Sequence, residues 1–177
     1  MKPQPLSTKL VFNGSIFDVR TDRIREGELE YSRDIVVHKG SAVIVPVFDD
    51  GTVALVRQYR HAAGIFMLEV PAGSLEIDED PLTGAIRELE EEVGVVAENV
   101  ELITEFYVSP GFLTEKMYVF LATSLTETAQ NLDGDENIAI ERIPLAAAVE
   151  MARDGRIEDA KSIIGLMMAG SKLGILT

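Results

Sequence analysis

The chain has 177 residues, 46% of them hydrophobic, and a formal net charge of −14, enough for one well-filled core and a small appendage. That acidity, with no basic stripe to offset it, excludes a general nucleic-acid binder, and the absence of cysteine excludes disulfides, thiol catalysis and thiolate metal sites. Two distant histidines, no apolar run near the roughly 20 residues of a membrane helix and no apolar leader in MKPQPLSTKL predict a soluble, cytoplasmic protein with no membrane partner and carboxylates as its ligand set.

Residues 9–38 alternate apolar and polar in pieces, with Asn13-Gly14 and Glu26-Gly27 as turn signals, and read as two or three antiparallel strands. A piece this small is not stable alone and needs a surface to dock on. Gly40 marks the join, dividing the chain into an extension over 1–39 and a main domain over 40–177. Two β-prone runs, 42–48 and 52–59, are joined by Asp49-Asp50-Gly51, which predicts a hairpin at the middle of a sheet. A short strand over 66–70 then leads into Pro71-Ala72-Gly73.

The next stretch carries the chemistry. Pro81, with Asp78, Glu79 and Asp80 before it, predicts a helix starting near residue 80, and Gly94 is placed to end it. Leu82, Ala85, Ile86, Leu89 and Val93 recur at helical spacing and are expected to form one core-facing stripe. At about 100° per residue, Glu88, Glu91 and Glu92 share a patch turned away from that stripe and exposed. An acidic helix face is ordinarily a solvated one. Three like charges at this spacing also repel, and a hard divalent cation with oxygen ligands would reverse the sign of that cost.

Beyond the helix, 100–108 and 117–124 read as strands around the loop Ser109-Pro110-Gly111-Phe112. A polar acidic loop, QNLDGDEN, precedes a strand at 138–143, Pro144 opens a helix over 145–153, and a last helix covers about 158–171. Ile163, Ile164, Met167 and Met168 are its expected core face. Strands, helix, strands and two closing helices predict an α/β sandwich.

Gly73, Glu79, Arg87-Glu88-Leu89, Glu91-Glu92 and Gly94-Val95 resemble the Nudix hydrolase signature at every specified position. The resemblance implies an α/β/α sandwich with a mixed sheet over 40–177, plus an N-terminal antiparallel β extension. It also implies an enzyme that hydrolyses a nucleoside diphosphate linked to another group. RQYRHAAG at 57–64, LEVPAG at 68–73, SPGFLTE at 109–115, DAKSIIGL at 159–166 and Pro110 resemble the ADP-ribose pyrophosphatase branch in particular. The related hydrolases of GDP-mannose and other nucleotide sugars share many of these softer motifs. A fold member that binds a nucleotide without catalysis is a further alternative.

Carried over residue by residue, the resemblance implies that Glu88 and Glu92 bind metal, that Glu91 adds to them, and that the Ala72 carbonyl is a fourth ligand. Mg²⁺ is the implied cofactor, with Mn²⁺ able to substitute. Arg87 and Glu79 match the residues that orient the loop and helix. Arg60 matches an arginine that contacts substrate, and Glu115 one near the terminal ribose; a solvated arginine and an ordinary surface glutamate are the alternatives. The resemblance implies that the catalytic base, with Glu91 as a second candidate, or a further metal ligand comes from the acidic loop Asp133 to Glu136, where the alignment is ambiguous by two residues; Glu136 stands nearest the following strand, and a solvated acidic turn is the alternative. In that branch the N-terminal strands cross to the other subunit of a homodimer and clamp the base. Phe17 and Arg33 are the candidates here, and Phe17 fits ordinary packing equally well.

Overall fold

Alternating polarity and glycine turns set the first strands in the computed structural model, which describes residues 2–132 and 137–176. β1 (Gln4–Asn13), β2 (Asp18–Glu26) and β3 (Leu29–Val37) form an antiparallel meander with Gln4 opposite Arg25 and Asp18 opposite Val37. Every residue of β1 is exposed, apolar ones included. Residues 1–40 form one compact unit together with 106–116, so the Ser109–Glu115 loop belongs with the meander. Within that unit the Val36 amide donates to the Phe112 carbonyl at 2.7 Å and the Thr114 amide to the Val36 carbonyl at 3.0 Å.

The second unit, 41–105 with 117–177, contains the core. Its elements are β4 (Ser41–Pro46), β5 (Thr52–Arg60), β6 (Ile65–Glu69), β7 (Ala72–Ser74), α1 (Pro81–Glu88) continued by a π-helical turn (Leu89–Val93), β8 (Val95–Tyr107), β9 (Lys116–Glu127), β10 (Ala139–Pro144), α2 (Leu145–Arg153) and α3 (Ala160–Lys172). The ends of β8 and β9 run into the first unit. β4 is fully buried, pairs parallel with β9 and antiparallel with β7, and lies in the order β7-β4-β9-β8. A second sheet has the order β10-β5-β6.

Successive side chains of a strand point to opposite faces, and β4 uses both. Ala42 and Ile44, with Phe120 and Ala122 of β9, pack against Ala85, Leu89 and Val93 of the signature helix. On the opposite parity, Val45 and Val119 meet Gly165 of α3, where an added Cβ would lie 3.2 Å from Val45. Helix, mixed sheet and helix are therefore stacked as the expected α/β/α sandwich.

Three local expectations change. The runs at 42–48 and 52–59 do not form a hairpin within one sheet. They meet at a Val47–Val53 bridge and through the Phe48 amide, which donates to the Thr52 carbonyl at 2.8 Å, and the chain turns a corner there so that β4 and β5 enter different sheets. Leu82 and Ile86 are exposed at 39% and 43%, so the buried positions of the signature helix are Gly84-Ala85, Glu88-Leu89 and Glu92-Val93. In α3, Met168 is exposed and Ile163, Ile164 and Met167 are only half-buried, whereas Lys161, Ser162, Gly165, Leu166, Ala169 and Gly170 are buried. Small residues let that helix approach the sheet closely, so its large side chains lie at the edge of the contact.

The buried stripe gives a direct stability test. Leu89→Ala, which empties a fully buried site, is expected to cost about 2–5 kcal/mol in urea denaturation, and Ile86→Ala less than about 0.5 kcal/mol. Equal costs would restore the broader stripe.

Candidate active site

The signature helix starts where its cap dictates. The Asp80 carboxylate accepts the amides of Leu82 and Thr83 at 3.1 and 3.3 Å, with Pro81 in the first turn. The helix then widens into the π turn that carries Glu91 and Glu92. Such turns leave backbone groups unpaired and recur at functional sites. Here the segment 128–131 takes up the carbonyls: Asn131 N–H donates to Glu91 at 3.1 Å, Gln130 Nε2 to Glu92 at 2.6 Å, and Thr128 N–H to Gly94 at 2.7 Å. Gly94 itself stands at φ 69°, ψ 44°, and a Cβ there would lie 2.8 Å from the Gln130 nitrogen.

The glutamates are not an exposed patch. Glu88 is 7% and Glu92 3% exposed, set against the backbone of 72–73. The Ala72 amide donates to Glu92 Oε2 at 3.0 Å. A Cβ on Gly73 would sit 1.8 Å from Glu88 Oε1, so only glycine leaves room for that carboxylate. The position of the apolar stripe explains the difference: losing Leu82 and Ile86 from the core rotates the buried face toward Glu88 and Glu92.

Arg87 organises the rest. Its guanidinium contacts Glu79 at 3.1 Å, Glu88 at 2.7 Å and Glu91 at 3.0 Å, and reaches the Ser74 carbonyl at 3.4 Å. The hydrogen bond from Arg87 holds the Glu79 carboxyl below the usual carboxylate range, and Glu79 in turn accepts the Glu76 amide at 2.8 Å. The same contacts, led by Glu79, push the Arg87 pKa further up. One cation thus faces Glu79, Glu88 and Glu91, with Glu92 beside them.

Among the described residues no three His, Asp or Glu side chains gather as a preformed cation cage. The donor chemistry nevertheless fits a hard divalent cation. Glu88 and Glu92 are oxygen donors packed on the Ala72–Gly73 backbone, and the carboxylates outnumber the local guanidinium. Burying such an excess of charge is costly without a compensating cation.

The remaining sequence candidates divide between the two units. Arg60, at the end of β5, is in the same unit as the glutamates. It forms a bidentate pair with Glu69 through Nε and Nη2, both at 2.7 Å. That hydrogen bond, followed by the fields of Glu69, Asp159 and Glu92, raises its pKa. Phe17, Arg33 and Glu115 belong to the other unit. Phe17 is 42% exposed with its ring 6.0 Å from that of Phe12. Arg33 lies over the Tyr31 ring at 4.3 Å. Asp18 pairs with Val37 and Asp22 with Arg33, so Phe17 and Arg33 stand roughly 16 Å apart along the strands and are not brought together. Glu115 Oε1 is 3.7 Å from His38 Nδ1, which accepts the Gly40 amide. Glu136 and the other loop acids, 133–135, lie outside the described residues.

Sequence reasoning assigned no role to a buried ionic cluster behind Arg60. Glu69 is fully buried in β6, Lys161 is 7% exposed in α3, and Asp159 caps that helix. The visible signal was a glutamate inside the apolar run FMLEV and a lysine on the small-residue face of the last helix.

A family model for the NUDIX domain matches residues 38–164. The chain is 34% identical over 165 residues to an ADP-ribose pyrophosphatase of Bacillus subtilis (strain 168), covering 92% of this chain and 89% of that protein. It is 32% identical over 151 residues to a GDP-mannose pyrophosphatase of Salmonella typhimurium (strain LT2), covering 79% and 78%. A crystal structure of an ADP compounds hydrolase superposes with a TM-score of 0.86 over 98% of this chain and 95% of that one. At 22% identity it shows a shared fold.

The close approach at residue 73 yields a specific expectation. Gly73→Ala should preserve the fold by circular dichroism while displacing Glu88, and its turnover should fall to that of Glu88→Gln. Turnover near wild type in the alanine variant would mean that the Glu88 position does not matter.

Proposed function

Because the chain belongs to the NUDIX family, we propose that it hydrolyses the pyrophosphate bond of nucleoside diphosphate sugars, with ADP-ribose its substrate and AMP and ribose 5-phosphate its products. The observation that carries this reading is the pair of buried carboxylates, Glu88 and Glu92, held against the Ala72–Gly73 backbone on the signature helix. The ADP-ribose pyrophosphatase relative, which aligns with nearly the whole chain, supports the choice of sugar nucleotide. GDP-mannose is the second reading, favoured by the GDP-mannose pyrophosphatase relative at similar identity over a shorter span.

Glu88, Glu92 and the Ala72 carbonyl would hold Mg²⁺, or Mn²⁺ in its place, with Glu91 as an added ligand. Bound there, the metal supplies positive charge to the diphosphate and lowers the pKa of a water toward neutrality. Arg87 keeps Glu88 and Glu91 oriented through its hydrogen bonds, and Glu79 fixes Arg87. Arg60 presents its outer Nη1 edge to the diphosphate, since Nε and Nη2 are committed to Glu69. Glu136 accepts the proton of the attacking water, with Glu91 as the alternative base. The tethering of 128–131 to the carbonyls of Glu91 and Glu92 supports a base from the loop that follows. Water adds to one phosphorus as the bridging oxygen leaves on the other, so each product carries one phosphate.

The protein acts in the cytoplasm as a homodimer on this reading, with Phe17, Arg33 and Glu115 contacting the nucleotide and terminal ribose. The support is the exposure of Leu10, Val11, Phe12, Ile16 and Phe17 in and after β1, an apolar set that a second copy would cover. No helix among the described residues is long and apolar enough to cross a membrane.

Glu92→Gln is expected to remove nearly all turnover over a panel of nucleotide sugars with Mg²⁺, and to reduce the rise in melting temperature that millimolar Mg²⁺ gives the wild type. Because Glu92 is buried and accepts the Ala72 amide, some loss of stability accompanies the change. Retention of about a tenth of wild-type kcat would overturn its role as a metal ligand.

Deletion of residues 1–38 should yield monomers or aggregates by light scattering and weaken the affinity for ADP-ribose, although every helix glutamate remains. A folded monomer with wild-type kcat/KM would remove the extension from both dimer and site.

A further inference from the structure

The segment from Glu69 to Ala72 carries the chain from the end of β6 to the start of β7, and each of its four residues is tied to a neighbouring element. Glu69 pairs with Arg60 of β5 and Lys161 of α3. The Val70 amide donates to Ser162 Oγ at 2.8 Å. The Pro71 carbonyl accepts the Ile44 amide at 3.0 Å. The Ala72 amide donates to Glu92. Two of the four ties come from the first turn of α3.

That turn is itself built around Asp159. Its carboxylate accepts the Ser162 amide at 2.9 Å and the Ser162 hydroxyl at 2.5 Å, and lies 3.0 Å from Lys161 Nζ. Ser162 therefore accepts from Val70 while donating to Asp159, which fixes its hydroxyl direction. Lys161 bridges two carboxylates, Glu69 Oε2 and Asp159 Oδ2. Its side chain is 8% exposed, and that of Glu69 1%.

The Glu69 oxygen that accepts from Arg60 Nη2 also meets Lys161, so the lysine holds the carboxylate that aims the guanidinium. Counted with Asp159, the group carries two positive and two negative charges, and the contribution of Lys161 is to fix Glu69 in place. Burial pushes the Glu69 carboxyl up, and the hydrogen bonds and charges of Arg60 and Lys161 outweigh it, so Glu69 is held ionised. Arg60 remains 39% exposed at the outer end of this chain, close enough to feel the charge of Glu92.

We propose that Lys161 is a positioning residue for substrate binding: by fixing Glu69 it orients Arg60 toward the diphosphate of the nucleotide. This deepens the reading above and rests on it, because it needs Arg60 to face a diphosphate. The motif at 159–162 thereby acquires a role. Lys161 touches no substrate and acts through Glu69.

The test is a double-mutant cycle between Lys161→Met and Arg60→Met, with kcat and KM for ADP-ribose measured separately in Mg²⁺ and the folded fraction fixed by thermal unfolding. Each single variant is expected to raise KM about tenfold with little change in kcat, the loss of one charge-assisted contact. The double variant should be no worse than Arg60→Met alone. Removing Lys161 leaves a buried carboxylate short of a partner, so Glu69→Gln combined with Lys161→Met, which removes both charges, stands in if the single variant does not fold. It should raise KM to the same extent.

A purely structural role would lower the melting temperature and the active fraction while leaving the KM of the surviving enzyme unchanged, and that result overturns the proposal. So do KM effects that multiply in the double variant. A wild type that cleaves no nucleotide sugar, or an Arg60→Met variant with unaltered KM, overturns the proposal together with the reading of the site. An Arg60 effect without coupling to Lys161 overturns the proposal alone.

Discussion

Burial of two glutamate carboxyl groups beside a strand backbone is the constraint on which the rest of this structure depends. Glu88 and Glu92 sit on the buried side of their helix, next to Ala85, Leu89 and Val93, which pack against β4 and β9. Carboxylates in that position are tolerable only with hydrogen bonds and compensating charge. Arg87 and the Ala72 amide provide part of each. The requirement reaches the sequence at residue 73, where any side chain would occupy the space of the Glu88 carboxylate.

The same constraint shapes the elements around the helix. A π turn carries Glu91 and Glu92, and its carbonyls are satisfied by 128–131 rather than by a following helical turn. On the other side, the backbone that meets Glu92 is held by α3 through Ser162 and by β4 through Ile44. Two helices on opposite faces of β4 therefore act on one short segment.

Charge is distributed to match. The molecule is strongly acidic, but its interior cations are concentrated where anions must be held. Arg87 is shared by Glu79, Glu88 and Glu91, and Arg60 and Lys161 share Glu69. An acidic surface repels phosphate at long range, so binding a diphosphate depends on these few cations and on the metal.

What the sequence determined by itself was local and periodic. The Asp80 cap with Pro81, the glycine stop at 94, the meander with its turns, the order of strands and helices, and the carboxylate spacing of the signature all follow from chemistry within a few residues of one another. Tertiary structure decided the questions of facing. Helical spacing alone assigned Leu82 and Ile86 to the core and the glutamates to solvent, because a large apolar residue and a large charged one look decisive in isolation. Packing against β4 selected the face with Gly84 and Ala85, where close approach is possible, and brought Glu88 and Glu92 inside with it. In α3 the same preference for close approach buried Lys161 and Ser162 and left Met168 exposed. The Arg60–Glu69–Lys161 chain joins two consecutive strands to a helix far along the sequence, and the corner at 47–53 splits β4 from β5. No periodicity encodes either, since each depends on which surfaces meet after the chain has folded.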